Sequence, residues 1–167
     1  VEYIFEKNTH TGTEILMMAR VISKGKTVLK NAAEEPEIDE LISLLNQMGA
    51  KIKRSGNRII VIEGVDGLHG TTFTIGPDRN EIVTFAAASI LTKGDVLIED
   101  ANKVDISEFL KDMKNIGAGV EKKKNGIRFF YKGPIKSKSI VTSFYPGFMT
   151  DWQGPWAVLM TQAVGDS

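Results

Sequence analysis

The sequence predicts an α/β fold (α+β in its local order) built from repeated β-α-β-α-β-β units. Three observations predict it. Val28-Leu-Lys-Asn-Ala-Ala-Glu-Glu-Pro-Glu-Ile38 aligns with Val96-Leu-Ile-Glu-Asp-Ala-Asn-Lys-Val-Asp-Ile106, and Leu44-Leu-Asn-Gln-Met-Gly-Ala-Lys-Ile52 aligns at the same offset with Asp112-Met-Lys-Asn-Ile-Gly-Ala-Gly-Val120. Within each copy the apolar spacing switches between helical and strand periods. Gly-containing turn signals separate the elements. A period of roughly seventy residues suits a larger unit than the ferredoxin-like alternative, whose β-α-β order is shorter.

The elements follow in chain order. Val1–Lys7 alternates like a strand. A helix carrying Ile15, Leu16, Met18, Ala19 and Ile22 at helical spacing ends at Gly25, a residue suited to a left-handed C-cap. After a β-rich run, Thr27–Leu29, a second helix spans Pro36–Met48, with Pro in the first turn, where its missing N–H costs nothing. Lys51–Lys53 and Arg58–Ile62 then form a hairpin across Ser55-Gly56-Asn57. Thr71–Ile75 opens the second copy as a strand, followed by helix Arg79–Leu91, strand Asp95–Glu99, helix Asp105–Ile116 and a hairpin turning at Asn125-Gly126. A third copy begins with strand Ser139–Thr142 and helix Asp151–Ala163. It stops at Gly165-Asp166-Ser167, where Gly25 and Gly94 precede their next strands. The expectation is two complete units and the start of a third, cut from a larger polypeptide.

Composition excludes several classes. Lys+Arg and Asp+Glu balance at 21 each, so nothing points to nucleic acid as a partner. The basic runs Lys51–Arg54 and Lys122–Lys124 stand beside turn signals and read as solvated hairpin ends. There is no cysteine, hence no disulfide, thiolate metal site or cysteine nucleophile. No uncharged apolar run is long enough for a membrane helix. His10 and His69 have no metal-like spacing, so no metal is expected.

Several strings resemble the UDP-N-acetylglucosamine 1-carboxyvinyltransferase family of enolpyruvyl transferases: Asn31-Ala-Ala-Glu-Glu-Pro-Glu-Ile38, Leu45-Asn-Gln-Met-Gly-Ala-Lys-Ile52, Ile62-Glu-Gly-Val65 with Leu68, Pro77-Asp-Arg-Asn-Glu81, Tyr145-Pro-Gly-Phe-Met-Thr-Asp151 and Leu159-Met-Thr-Gln-Ala163. They run in the family's order over essentially the whole chain. The resemblance implies an inside-out α/β barrel of two domains with three units each. Residues 1–76 would be the last unit of one domain, and residues 77–167 the first unit of the other plus the start of the next. It also implies transfer of the enolpyruvyl group of phosphoenolpyruvate to the 3-hydroxyl of UDP-N-acetylglucosamine, the first committed step of peptidoglycan precursor synthesis in the bacterial cytoplasm. No cofactor is implied. The partners are the two substrates and the remainder of the same polypeptide. The family's amino-terminal Lys-Asn pair, reactive loop and main uridine-binding loop have no counterpart here, so the chain alone is expected to be inactive.

The resemblance places the base at Asp151, with Thr150 beside it in contact with substrate. Read from position alone, Asp151 is also a first-turn or N-cap Asp, which helices favour anyway. Lys7, Asn8, Thr9, His10, Thr11 and Gly12 match the segment that holds the UDP diphosphate. The same residues read equally as a helix start capped by Thr11 or Thr13, with Glu14 in its first turn and His10 facing solvent. Glu35, Glu37, Asp78, Arg79 and Glu81 match charged positions near the family's interdomain cleft. Alternatively, Glu35 and Glu37 form an acidic helix start, and Asp78 and Arg79 an ion-pair cap. The chain departs from the family pattern at Thr9-His10, which replaces Ser-Val, and at Met149, which replaces Pro. It departs again at Trp152, Gly154 and Pro155, and at Asn80 with Ile82-Val83. Two other readings stand beside the main one. The sister 3-phosphoshikimate enzyme is disfavoured by the Asn-Ala-Ala-x-Glu-Pro-Glu and Tyr-Pro-Gly-Phe strings, and a non-catalytic nucleotide-sugar-binding or scaffold paralogue is the other.

Overall fold

The computed structural model describes residues 1–167, which divide into two compact units, Val1–Ile75 and Gly76–Ser167. In the first, β1 (Glu2–Ile4) pairs in parallel with β2 (Lys26–Lys30), β2 pairs antiparallel with β4 (Ile59–Glu63), and β3 (Lys51–Arg54) closes the order β1-β2-β4-β3. Helices α1 (His10–Val21) and α2 (Pro36–Gln47) fill the crossovers. Alternation along the strands sends Leu29, Ile52, Ile60 and Ile62 to one face. There they bury with Met17 and Val21 of α1 and Ile38 and Leu45 of α2.

The buried face of α1 differs from the expected stripe. Thr13, Met17 and Val21 point inward, while Ile15, Met18 and Ile22 are 56%, 48% and 63% exposed. Apolar residues occupy so much of this helix that spacing alone cannot choose between two faces, and contact with the sheet decides. The helix also stops earlier than expected. Its C-cap is Ile22, and Gly25 lies in the turn beyond it.

The second unit holds α3 (Arg79–Leu91), β5 (Asp95–Glu99), α4 (Ser107–Asn115), β6 (Gly119–Lys123) and β7 (Gly126–Phe130). Its sheet runs β5-β7-β6, the first unit's order without the leading strand. The repeat extends to the caps that close α2 and α4. Gly49 and Gly117 both take positive φ, at 101° and 94°. In both copies the glycine N–H and the following alanine N–H return to the last helical carbonyls (Gly49 to Asn46, Ala50 to Leu45; Gly117 to Lys114, Ala118 to Met113).

Three expectations need correction here. Thr71–Ile75 forms no strand, and β5 is a sheet edge. β-rich composition becomes a strand only where a neighbour supplies the ladder. Ser139–Thr142 forms none either, and only an isolated bridge, Lys136 to Val164, lies nearby. The last helix is a one-turn 3-10 segment, Thr150–Trp152, followed by α5 (Gln153–Met160). This stretch packs into the second core. Ile135, Phe148, Trp152, Trp156 and Leu159 bury against Ile82, Val83, Ala86 and Ile90 of α3 and Phe109 and Met113 of α4.

At the end of β4, Gly64 donates its N–H to the Gly25 carbonyl at 2.9 Å. A Cβ on Gly64 would sit 1.5 Å from the Ser23 backbone oxygen. Gly64→Ala therefore forces two backbones apart and is expected to cost about 3 kcal/mol, measurable by urea denaturation of the chain.

Candidate active site

In the first unit the candidate residues gather where α1 begins. Thr9 is extended, with φ −146° and ψ 121°, and its side chain accepts the Gly12 N–H. Thr9 is thus the N-cap, correcting the expectation of Thr11 or Thr13, and the first turn of α1 holds no acidic residue. Thr13 has a different task. Its buried hydroxyl donates to the Thr9 carbonyl at 2.7 Å and accepts the Ala33 N–H at 3.0 Å. Asn8 donates its amide to the carbonyls of Asn31 and Ala32, at 3.4 and 3.2 Å. These bonds join the Lys7–Gly12 segment to the Asn31–Glu35 loop, which sequence matching had treated separately. Lys7 and Thr11 are exposed, and His10 stands 3.7 Å from Glu14.

Glu35 is buried, 6% exposed, and occupies the N-cap position of α2 without making a side-chain cap bond. Its Oε2 and the Asn8 Oδ1 are buried without a hydrogen-bond partner. Buried polar atoms are nearly always satisfied, so these two mark the meeting of the two loops as a place where a partner for them is expected. Glu37 and Asp39 occupy the first turn of α2, as an acidic helix start predicts.

In the second unit Asp78 caps α3, accepting the N–H groups of Asn80 and Glu81 at 2.7 and 3.4 Å. Glu81 is exposed in the first turn. Arg79 is 1% exposed. Its guanidinium lies 5.2 Å from the Tyr145 ring centroid and 5.9 Å from that of Trp152. Tyr145 donates its hydroxyl to Asp105 Oδ2 at 3.0 Å, and Trp152 donates Nε1–H to Asn80 Oδ1 at 3.0 Å. Phe148, between them, meets Trp152 edge-on at 5.4 Å. The loop closes on itself through Ser143 N–H to the Phe148 carbonyl and Gly147 N–H to the Phe144 carbonyl. Thr150 and Asp151 emerge from this packing exposed, in the one-turn segment that leads into α5.

The roles of Tyr145, Asp105 and Trp152 as a brace were missed in the sequence, because each contact joins residues far apart in the chain. Asp105 reads there only as a helix-start residue, a role it also fills by accepting the Ser107 N–H at 3.0 Å. Its carboxyl is held below the ordinary range by hydrogen bonds from Ser107 first, then by the Tyr145 hydroxyl and the Arg79 charge. A depressed carboxyl stabilises the folded state above its unfolded pKa of about 4 and loses that contribution as pH falls through the lower folded value. The stability gap between wild type and Asp105→Asn should therefore be constant near neutrality and shrink below about pH 4, as followed by thermal melts across pH.

Residues 1–167 match the EPSP synthase (3-phosphoshikimate 1-carboxyvinyltransferase) family from end to end. The chain belongs to the EPSP synthase family. Within this family of carboxyvinyltransferases, it is 46% identical over 157 residues to the UDP-N-acetylglucosamine 1-carboxyvinyltransferase of Desulfatibacillum aliphaticivorans, covering 94% of this chain and 38% of that protein. The protein of the same name from Methylacidiphilum infernorum (isolate V4) is 42% identical over 160 residues, covering 96% and 38%. The chain thus spans well under half the length of these relatives. The crystal structure of the enolpyruvyl transferase NikO from Streptomyces tendae superposes with a TM-score of 0.81 at 20% identity, covering 93% of this chain and 38% of that one. That likeness establishes the fold. No helix of the chain is long and apolar enough to cross a membrane.

Proposed function

We propose that the chain is part of a bacterial cytoplasmic enzyme that moves the enolpyruvyl group of phosphoenolpyruvate onto the 3-hydroxyl of UDP-N-acetylglucosamine, in the synthesis of peptidoglycan precursors. The observation that carries this reading is Asp151, exposed in the 3-10 turn before α5 and flanked by the anchored Tyr145 and Trp152 side chains. The names of the curated relatives support the choice of acceptor. In this reading the Asp151 carboxylate removes the hydroxyl proton as the oxygen adds to the substituted alkene carbon and the methylene carbon takes a proton; loss of a methylene proton and of phosphate then restores the double bond, with Thr150 contacting the sugar. Lys7, Asn8, Thr9, His10, Thr11 and Gly12 hold the diphosphate, through the Lys7 ammonium and the N–H groups at the start of α1. Glu35, Glu37, Asp78, Arg79 and Glu81 support these segments. Residues 1–76 belong to one domain of an inside-out barrel and residues 77–167 to the other. The 167-residue chain needs the rest of the polypeptide for turnover.

Calorimetry and a phosphate-release assay test the reading together. The full-length polypeptide that carries this chain should release phosphate from phosphoenolpyruvate with UDP-N-acetylglucosamine and not with shikimate 3-phosphate. The opposite preference would assign it to the sister reaction of the family. Absence of heat with either acceptor would leave a scaffold paralogue, and steady turnover by the 167 residues alone would overturn the need for the remaining polypeptide.

A further inference from the structure

Asn80 and Trp152 stand 72 positions apart in the chain. The structure brings them into contact. Trp152 Nε1–H donates to Asn80 Oδ1 at 3.0 Å. An indole nitrogen can only donate, so the side-chain oxygen of residue 80 is the acceptor it needs.

We propose that Asn80 and Trp152 form a positioning pair that sets the orientation of Asp151; this rests on the reading of Asp151 as the base. Asp151 and Trp152 share a single 3-10 turn, so the direction of the Asp151 side chain follows from where the Trp152 ring is anchored. That ring is 2% exposed and gripped on several sides. Phe148 and Phe109 meet it edge-on at 5.4 and 6.0 Å, and the Arg79 guanidinium lies 5.9 Å away. Packing fixes the ring's depth, and the bond to Asn80 fixes its rotation. Asn80 is itself held, because its backbone N–H is taken by the Asp78 cap. The line Asp78–Asn80–Trp152–Asp151 thus ties the start of α3 to the carboxylate. Asn80 touches no reacting atom and acts through its partner.

The test uses the full-length polypeptide. Asn80→Leu and Trp152→Phe each remove one end of the bond; Asn80→Leu keeps the bulk, while Trp152→Phe leaves a smaller ring and is read beside a thermal melt. Each should lower kcat between tenfold and a hundredfold, the scale of a small misplacement of a reacting group, while KM for both substrates stays within about twofold. Asn80→Asp, which keeps an acceptor oxygen, should restore kcat to within about threefold of wild type. The double variant should be no slower than the worse single one, because the two changes break one interaction. Proton exchange at the Trp152 indole, followed by NMR, should accelerate in Asn80→Leu and not in Asn80→Asp. An unchanged kcat in Asn80→Leu, a loss confined to KM, or additive losses in the double variant would overturn the positioning role. A wild-type polypeptide that binds UDP-N-acetylglucosamine but turns nothing over would instead sink the reading of Asp151 as base, and this proposal with it.

Discussion

Phe109→Ala should destabilise the chain by about 4 kcal/mol, a loss on the scale of a large aromatic removed from a packed core. Phe109 is fully buried, and its ring lies 6.0–6.4 Å from Phe129, Phe148, Trp152 and Trp156. Four large aromatics cannot collapse into the space it leaves, because each is held by another neighbour. Trp156 donates Nε1–H to the Lys138 carbonyl at 3.2 Å, and Trp152 is bonded to Asn80. The cavity persists, and its cost adds to the lost transfer energy. Chemical denaturation should show a lower midpoint with little change in slope. A loss under about 1.5 kcal/mol, the cost of a volume-conserving swap, would mean that the aromatic cluster repacks freely.

Asp151→Asn should lower kcat of the full-length polypeptide by roughly 10²–10⁴-fold, the usual contribution of a positioned general base, with stability unchanged. The side chain is exposed, and its shape survives the substitution. A stopped assay of phosphate release, set beside a thermal melt of the same variant, separates the two effects. A kcat within threefold of wild type would return Asp151 to its other role, an ordinary acidic residue in the first turn of a helical segment.

The repeat was legible because its marks are local. Pro36 at the start of α2 and the Gly-Ala pairs at 49–50 and 117–118 dictate backbone geometry within a few residues. α2, α3 and β5 accordingly lie within a residue of their expected bounds. The failures involve choices that local sequence does not make. α1 has apolar residues on two faces, and only contact with the sheet selects Met17 and Val21 over Ile15 and Met18. Thr71–Ile75 has the composition of a strand but no ladder partner. In the candidate site, the motif Tyr145–Asp151 could be matched as a string. Its anchorage to Asp105, Arg79 and Asn80 could not, since side-chain bonds between distant segments leave no periodic trace. Thr13 shows the same limit. Its hydroxyl reads as a helix cap, while its partner across the fold is Ala33.

The exposed face of α1 has a practical consequence. Ile15, Met18 and Ile22 stand one helical turn apart along the outside of the helix, all about half or more in water. An apolar stripe of that kind is a standing invitation to any similar surface, including its own copy on another molecule. By itself, this polypeptide should self-associate as its concentration rises, which sedimentation at several concentrations would show. Charged substitutions at these three positions, which contribute nothing to the buried core, are the natural route to a tractable version of it.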